Sequence, residues 1–155
     1  MNIAPTLVTE LARQGIAYDI IKHPYSIFSL NTAHAAHVPD EQVVKSVVFE
    51  DDYGYVMALV PANRQVKIRE LNQVMKRSMG LATEQELASL FTDCDPGAIP
   101  PIGYAYDIET VVDYALDDCD DVYIEAGNHE DLLHLKGNAF RKLQQHARHA
   151  NICVH

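Results

Sequence analysis

The sequence predicts an α+β fold with a mixed, mostly antiparallel β-sheet, and three observations carry that prediction. Residues 43–50 and 55–60 are runs rich in β-branched and aromatic side chains, separated by Asp51-Asp52-Tyr53-Gly54, which reads as a hairpin. Ile68, Leu71, Val74 and Met75 recur at three- and four-residue spacing and share one helical face. Beyond a stretch without periodicity at 92–102, short segments at 103–106, 110–114, 122–125 and 132–135 read as further strands.

In chain order, Pro5 stands near a first helical turn, Leu7, Val8, Leu11 and Ala12 fall on one face, and Gly15 stops the helix. Residues 16–21 then read as a strand and 29–36 as a short helix. Val38-Pro39-Asp40 restarts the chain into a turn or short helix leading to Lys45. After the hairpin and the helix through Met75, Thr83 and Glu86 have the spacing of a capping box, with Leu87, Leu90 and Phe91 as the buried stripe. A last helix follows Asn138 and uses Phe140, Leu143 and Ala147. No repeat, low-complexity segment or linker divides the 155 residues, so one domain spanning 1–155 is expected.

Composition narrows the function classes. The hydrophobic share of 48% and charged share of 22% are ordinary for a soluble chain, and no apolar run approaches the roughly 20 residues that span a bilayer. The N-terminus lacks a basic segment followed by an apolar stretch, so a cytoplasmic protein without a membrane partner is expected. Cys94, Cys119 and Cys153 lie far apart, which suits neither a disulfide framework nor a structural zinc site. His34/His37 and His146/His149 are each three apart, but neither pair comes with a carboxylate or Cys in a ligand motif. No metal and no cofactor is expected.

A formal net charge of −10 argues against a protein that coats nucleic acid, and DNA is not expected as a partner. The charge is uneven. Arg64, Lys67, Arg69, Lys76 and Arg77 meet only Glu70 between 64 and 77, whereas 107–131 carries ten acidic and no basic side chains. The acidic run reads as solvated surface, while the basic one reads equally well as surface or as a face for a local phosphate contact.

Familiar catalytic motifs are missing: there is no Gly-x-Ser-x-Gly elbow, phosphate-binding Gly-x-x-x-x-Gly-Lys loop or His-Glu-x-x-His. Three other features can carry chemistry. Lys45 interrupts an otherwise apolar strand, where a cation either snorkels to an edge or serves a site. Asp95-Pro96-Gly97-Ala98-Ile99-Pro100-Pro101-Ile102-Gly103 is stiff at its prolines and permissive at its glycines, so it is either a surface turn or a rigid presenter of backbone amides. Gly127-Asn128-His129 is either a turn or an imidazole placed to move a proton.

Lys45-Ser46, the spacing Gly97-x-x-x-Pro101-x-Gly103 and Gly127-Asn128-His129 occur in one order, together with Thr32-Ala33-His34-Ala35-Ala36-His37-Val38-Pro39 and Leu59-Val60-Pro61. In that order and spacing the chain resembles, over nearly its whole length, the YbaK/ProX family of aminoacyl-tRNA deacylases, which is similar to the editing domain of prolyl-tRNA synthetases. The resemblance implies a barrel-like sheet surrounded by helices. It implies a metal-independent trans-editing hydrolase for the ester of mischarged tRNA carrying a small or thiol amino acid such as alanine, cysteine or serine. The partners implied are the 3′ end of an aminoacyl-tRNA and an aminoacyl-tRNA synthetase. Carried over by position, Lys45 is the catalytic cation, and backbone groups from Gly97 to Gly103 position the ester and water. His129 matches a histidine found in part of the family. Ser46, Ile99, Pro100, Pro101, Gly127 and Asn128 are implied substrate contacts, with Tyr25 and Phe28 as further candidate pocket walls. Two other functions fit the same residues: a non-catalytic module that binds aminoacyl-tRNA, a synthetase or a small metabolite, and a hydrolase of other activated acyl esters.

Overall fold

A computed structural model describes residues 2–26 and 29–154. Helix α1 (Pro5–Gln14) buries Leu7 and Leu11 and ends at Gly15, whose left-handed backbone (φ 65°) lets its N–H cap the preceding carbonyls. Strand β1 (Asp19–Lys22) starts later than the apolar pattern at 16 suggests, because Ile16 folds into the core from the loop, its N–H on Leu11 O. Helix α2 (Ser29–Ala36) and a 3-10 turn at Asp40–Gln42 lead into β2 (Val44–Asp51). This strand pairs antiparallel with β3 (Gly54–Pro61) around a tight turn at Asp52-Tyr53, as the hairpin pattern predicts.

Helix α3 (Ile68–Met75) buries Leu71, and the short strand β4 (Gly80–Leu81) pairs with β2. Helix α4 (Glu84–Leu90) begins with both halves of the predicted capping box, the Thr83 hydroxyl accepting from Glu86 N–H and the Glu86 carboxylate accepting from Thr83 N–H. Residues 103–106, expected as a strand, form a 3-10 turn instead. The cause is Gly103, which packs so closely on Thr110 and Ile108 that the chain must coil before β5 (Glu109–Asp113) begins. Then come α5 (Tyr114–Asp117), β6 (Asp121–Glu125), β7 (Asp131–Lys136), α6 (Gly137–Leu143) and β8 (Arg148–Ala150). Ala147, expected on the last helix, lies beyond its end.

The strands form two sheets. One has the order β1-β7-β6 and is antiparallel throughout; the other has the order β4-β2-β3-β5-β8, antiparallel at β4-β2-β3 and parallel at β3-β5-β8. The expected mixed, mostly antiparallel α+β fold is therefore present, but the sheet is not closed into a barrel. Closure needs continuous pairing around all strands. Here Val43, the residue before β2, forms a single parallel bridge with Tyr123 of β6, and no further pairing joins β2 to β6 among the described residues.

Strand alternation gives β2 two different faces. Val44 and Val48 enter the main core with Leu7, Leu11, Ile102, Val122, Ile124, Leu133 and Phe140. Phe49 turns the other way, into a second cluster with Val60, Leu71, Val111 and Ile152 under α3. Val43 joins a third, with Ala33 of α2, Ala62 and Leu132.

Candidate active site at a fork between two strands

The gap that opens beyond Val43 and Tyr123 is bridged by the loop 95–103. Gly127, just past β6, donates its N–H to Ala98 O (2.9 Å), and its own carbonyl accepts from Asp95 N–H (2.8 Å). From the other arm, the Ser46 hydroxyl donates to Ile99 O (3.2 Å). Ile99, Pro100, Pro101 and Ile102 are buried, and Pro101 O accepts from the Gln144 side-chain amide. The loop is thus held to both arms of the fork and to the core. Gly97 stays exposed with φ 86°, a backbone region that favours glycine. Among the described residues, the N–H groups of Gly97 and Ile99 have no partner.

The two-residue period of a strand sends Lys45 and Ser46 to opposite sides of β2. Ser46 faces the loop; Lys45 shares its face with Val43, Val47 and Phe49 and lines a hollow with Gln65, Val66 and Leu81. In this half-buried position the Lys45 ammonium donates to Arg64 O. Burial draws its pKa below the ordinary lysine value, opposed by the nearby Cys153 thiol. Lys45 and the loop 97–103 therefore meet at one fork, one on each side of the strand.

The segment 127–129 forms the other arm. At Gly127 (φ 95°) a Cβ would stand 2.7 Å from the Ala4 Cβ, so only glycine lets α1 dock here. Asn128 is 2% exposed and holds the turn: its Oδ1 accepts from Glu130 and Asp131 N–H, and its Nδ2 donates to the Asp131 carboxylate. His129 is buried, its ring 5.0 Å from that of Tyr25, while its carbonyl accepts from Ser26 N–H. Phe28, the other expected wall beside Tyr25, lies outside the described residues. Gly103 stands at the far end of the loop, where a Cβ would lie 2.4 Å from Thr110 Oγ1.

Charge is arranged differently from the sequence pattern. Three carboxyls of the acidic run are buried: Asp113, Glu125 and Asp131. Asp113 accepts from Ile152 and Cys153 N–H and so fixes the segment that carries Cys153. Asp131 pairs with Lys22 (3.2 Å). Glu125, the last residue of β6, is missed by reading the run as solvated surface; the available signal was its position at the end of Val122-Tyr123-Ile124, directly before Ala126-Gly127. On the basic side, Arg77 is committed to Asp51 and Gly54 O, and Arg64 donates to Val154 O, which leaves Lys67, Arg69 and Lys76 exposed along α3 and its ends. His34, His37 and His146 are exposed, and His149 bonds Asp117 (2.7 Å). Among the described residues no three His, Cys, Asp or Glu side chains gather as a metal site would require.

A fork of two diverging strands, a glycine-proline loop pinned across it and a lysine inserted in one arm form the candidate site. The sequence profile of the aminoacyl-tRNA editing domain matches residues 29–143, and the chain belongs to that family. Curated relatives include the proline–tRNA ligases of Bacillus cytotoxicus (32% identical over 81 residues, 52% of this chain) and Exiguobacterium sibiricum (34% over 80 residues, 51% of this chain). In each case the match spans 14% of the ligase, so this chain corresponds to one segment of those enzymes. Among solved structures, a candidate trans-editing enzyme for prolyl tRNA synthetase superposes with a TM-score of 0.84 at 21% identity, covering 98% of this chain and 97% of that one. The hypothetical protein APE2540 also gives 0.84, at 19% identity, with 96% and 99% covered. At these identities the structures share the fold.

Proposed function

We propose that the chain is a trans-editing deacylase that hydrolyses the ester between a small or thiol amino acid and the 3′ end of a mischarged tRNA. The observation that supports this most is the fork in a chain of the editing-domain family: Ser46 and Gly127 hold the 97–103 loop across it, and Lys45 reaches it from the opposite side of β2. In this reading Lys45 leaves Arg64 O and meets the electron-rich 3′ adenosine or the ester carbonyl as a compact cation. The N–H groups of Gly97 and Ile99 face the ester from the loop side and stabilise the oxyanion as water adds to the carbonyl. Collapse of that intermediate expels the 3′ oxygen, which takes up a proton, and releases the free amino acid and tRNA. None of these steps uses a side-chain nucleophile or a metal. His129, packed against Tyr25, serves as a wall of the amino acid pocket and a candidate proton carrier.

Such an activity answers a physical limit on synthetases, because one methylene in an apolar pocket discriminates by only about 1–3 kcal/mol. A second pocket must sort again. Few phosphate contacts are needed to hold one 3′ end, which suits a chain with net charge −10. We assign the activity to the whole of 1–155 acting in the cytoplasm, with transient synthetase association; no helix among the described residues is long and apolar enough to cross a membrane. Incubating the protein with alanyl-, cysteinyl- and seryl-tRNA, and with a correctly charged tRNA, tests the reading. Release of at least one small or thiol amino acid well above the spontaneous rate is expected. Stable binding with no turnover across the panel would instead establish the non-catalytic module, and equal hydrolysis of a small acyl ester, uncompeted by uncharged tRNA, a general esterase.

A further inference from the structure

Glu125 is a carboxyl with no evident reason to be where it is. It is 4% exposed, and its Oε2 has no hydrogen-bond partner. Its cross-strand partner is Leu132, which pairs in turn with Ile21, so the three lie in one row across the sheet. That face also carries Tyr123, stacked on His134, which is itself bonded to Asp121, and an apolar cluster of Leu132, Val43, Ala33 and Ala62. Among the described residues no Lys, Arg or His forms an ion pair with it. Leaving a buried acceptor unsatisfied is costly, and an unpaired buried carboxylate more so; burial accordingly pushes the Glu125 carboxyl up to about 8.

The position of Glu125 within the fork gives that cost a use. Val43 and Tyr123 are the bridged pair from which the two arms diverge. Two residues further along β2, on the same face, stands Lys45; two residues further along β6 stands Glu125, and two beyond it Gly127. Two residues past the bridge, each strand therefore carries an ionisable side chain on the side away from the main core, a cation on one and an acid on the other. An aminoacyl ester presents complementary groups: phosphate and ester oxygens toward the nucleoside, and an α-ammonium beside the carbonyl. That ammonium is the one cation present in every aminoacyl-tRNA whatever its side chain.

We propose that Glu125 is a substrate-binding residue that receives the α-ammonium group of the esterified amino acid, an inference that rests on the deacylase reading above. Lys45 then engages the nucleoside end and Glu125 the amino end, which fixes the carbonyl between the two arms of the fork. On binding, the carboxyl gives its proton to solvent and the ammonium keeps its own, so that an ion pair replaces a neutral acid.

The test compares an aminoacyl-tRNA accepted by the wild type with the same tRNA acetylated on its α-amino group, which removes the cation and leaves the ester. Wild-type kcat/KM should fall roughly 10- to 100-fold on acetylation, the loss of one charge-assisted hydrogen bond. Glu125→Gln should show a similar loss on the free-amino substrate and little further loss on the acetylated one. Glu125→Met, which also removes the acid, should behave the same way and serves if the amide variant fails to fold, as judged by thermal melting. If wild type and variants lose the same factor on acetylation, or if Glu125→Gln keeps full activity, the assignment is overturned while the deacylase stands. A wild type that hydrolyses no aminoacyl-tRNA overturns the deacylase reading itself.

Discussion

The two sides of the fork solve opposite problems. On the loop side, Ser46 is bonded to Ile99, Gly127 to Ala98 and Asp95, and Gln144 to Pro101, so that the loop is tied down at several points. On the other side, Lys45 holds a single backbone carbonyl and Glu125 leaves an oxygen unpaired in an apolar setting. Many cross-links fix positions; a sparsely bonded charge is ready for something that arrives from outside. Substitutions on the loop side should therefore register first in stability, and those on the Lys45 and Glu125 side first in activity or pH dependence.

The largest effect expected is the pH dependence that Glu125 gives to stability. Its folded pKa lies above the ordinary carboxyl value of 4.5, at about 8, so the folded state binds the extra proton between those values. Stability is full below about pH 4.5 and falls as pH rises toward 8, by up to about 1.4 kcal/mol per pH unit. Glu125→Gln has no such proton, so its melting temperature relative to wild type should climb steadily from pH 5 to pH 8. A constant difference would show that the acid is solvated and the contrast between the two sides false. Gly103→Ala should come next, at about 1–3 kcal/mol of destabilisation in denaturant titration, because its Cβ would stand 2.4 Å from Thr110 Oγ1. A neutral Gly103→Ala would mean that the loop is not pinned as described.

Ser46→Ala should cost about 1 kcal/mol, since one hydroxyl-to-carbonyl bond is lost. Urea midpoints would register that loss, and an effect on turnover without one would place Ser46 against substrate rather than loop. Smallest of all, Lys76→Ala should leave stability within about 0.5 kcal/mol, as for an exposed surface residue. It should reduce the slope of log kcat/KM against log salt by less than about one, the value for a full phosphate contact. An unchanged slope would assign that part of the basic segment to solubility alone.

Local chemistry was the legible part of the fold. The Thr83–Glu86 box and the 43–60 hairpin depend on residues close in sequence, and both formed where the pattern put them. The expected strand at 103–106 failed because Tyr-Ala-Tyr suits a strand, whereas the turn is imposed by Gly103 packing on β5, which local propensity does not register. Barrel closure was inaccessible for a related reason: it depends on how far β2 and β6 stay paired, and they part after a single bridge. At the site, Lys45 and the 97–103 loop were visible as oddities of composition, and their placement on opposite sides of β2 follows from strand alternation. Glu125 was hidden. Glu125 shares its face of β6 with the half-buried Asp121 and Tyr123, so its place at the end of an apolar run was the one sign in the sequence that this acid among ten is buried.

Single-turnover deacylation by Lys45→Ala beside wild type, with melting temperatures recorded on both, bears most directly on the central claim that Lys45 takes part in the chemistry rather than in holding the fold. The account predicts a loss of roughly 10²-fold or more in rate, the scale of removing one electrostatic stabiliser, with little change in melting temperature. Equal hydrolysis by the two proteins would contradict it.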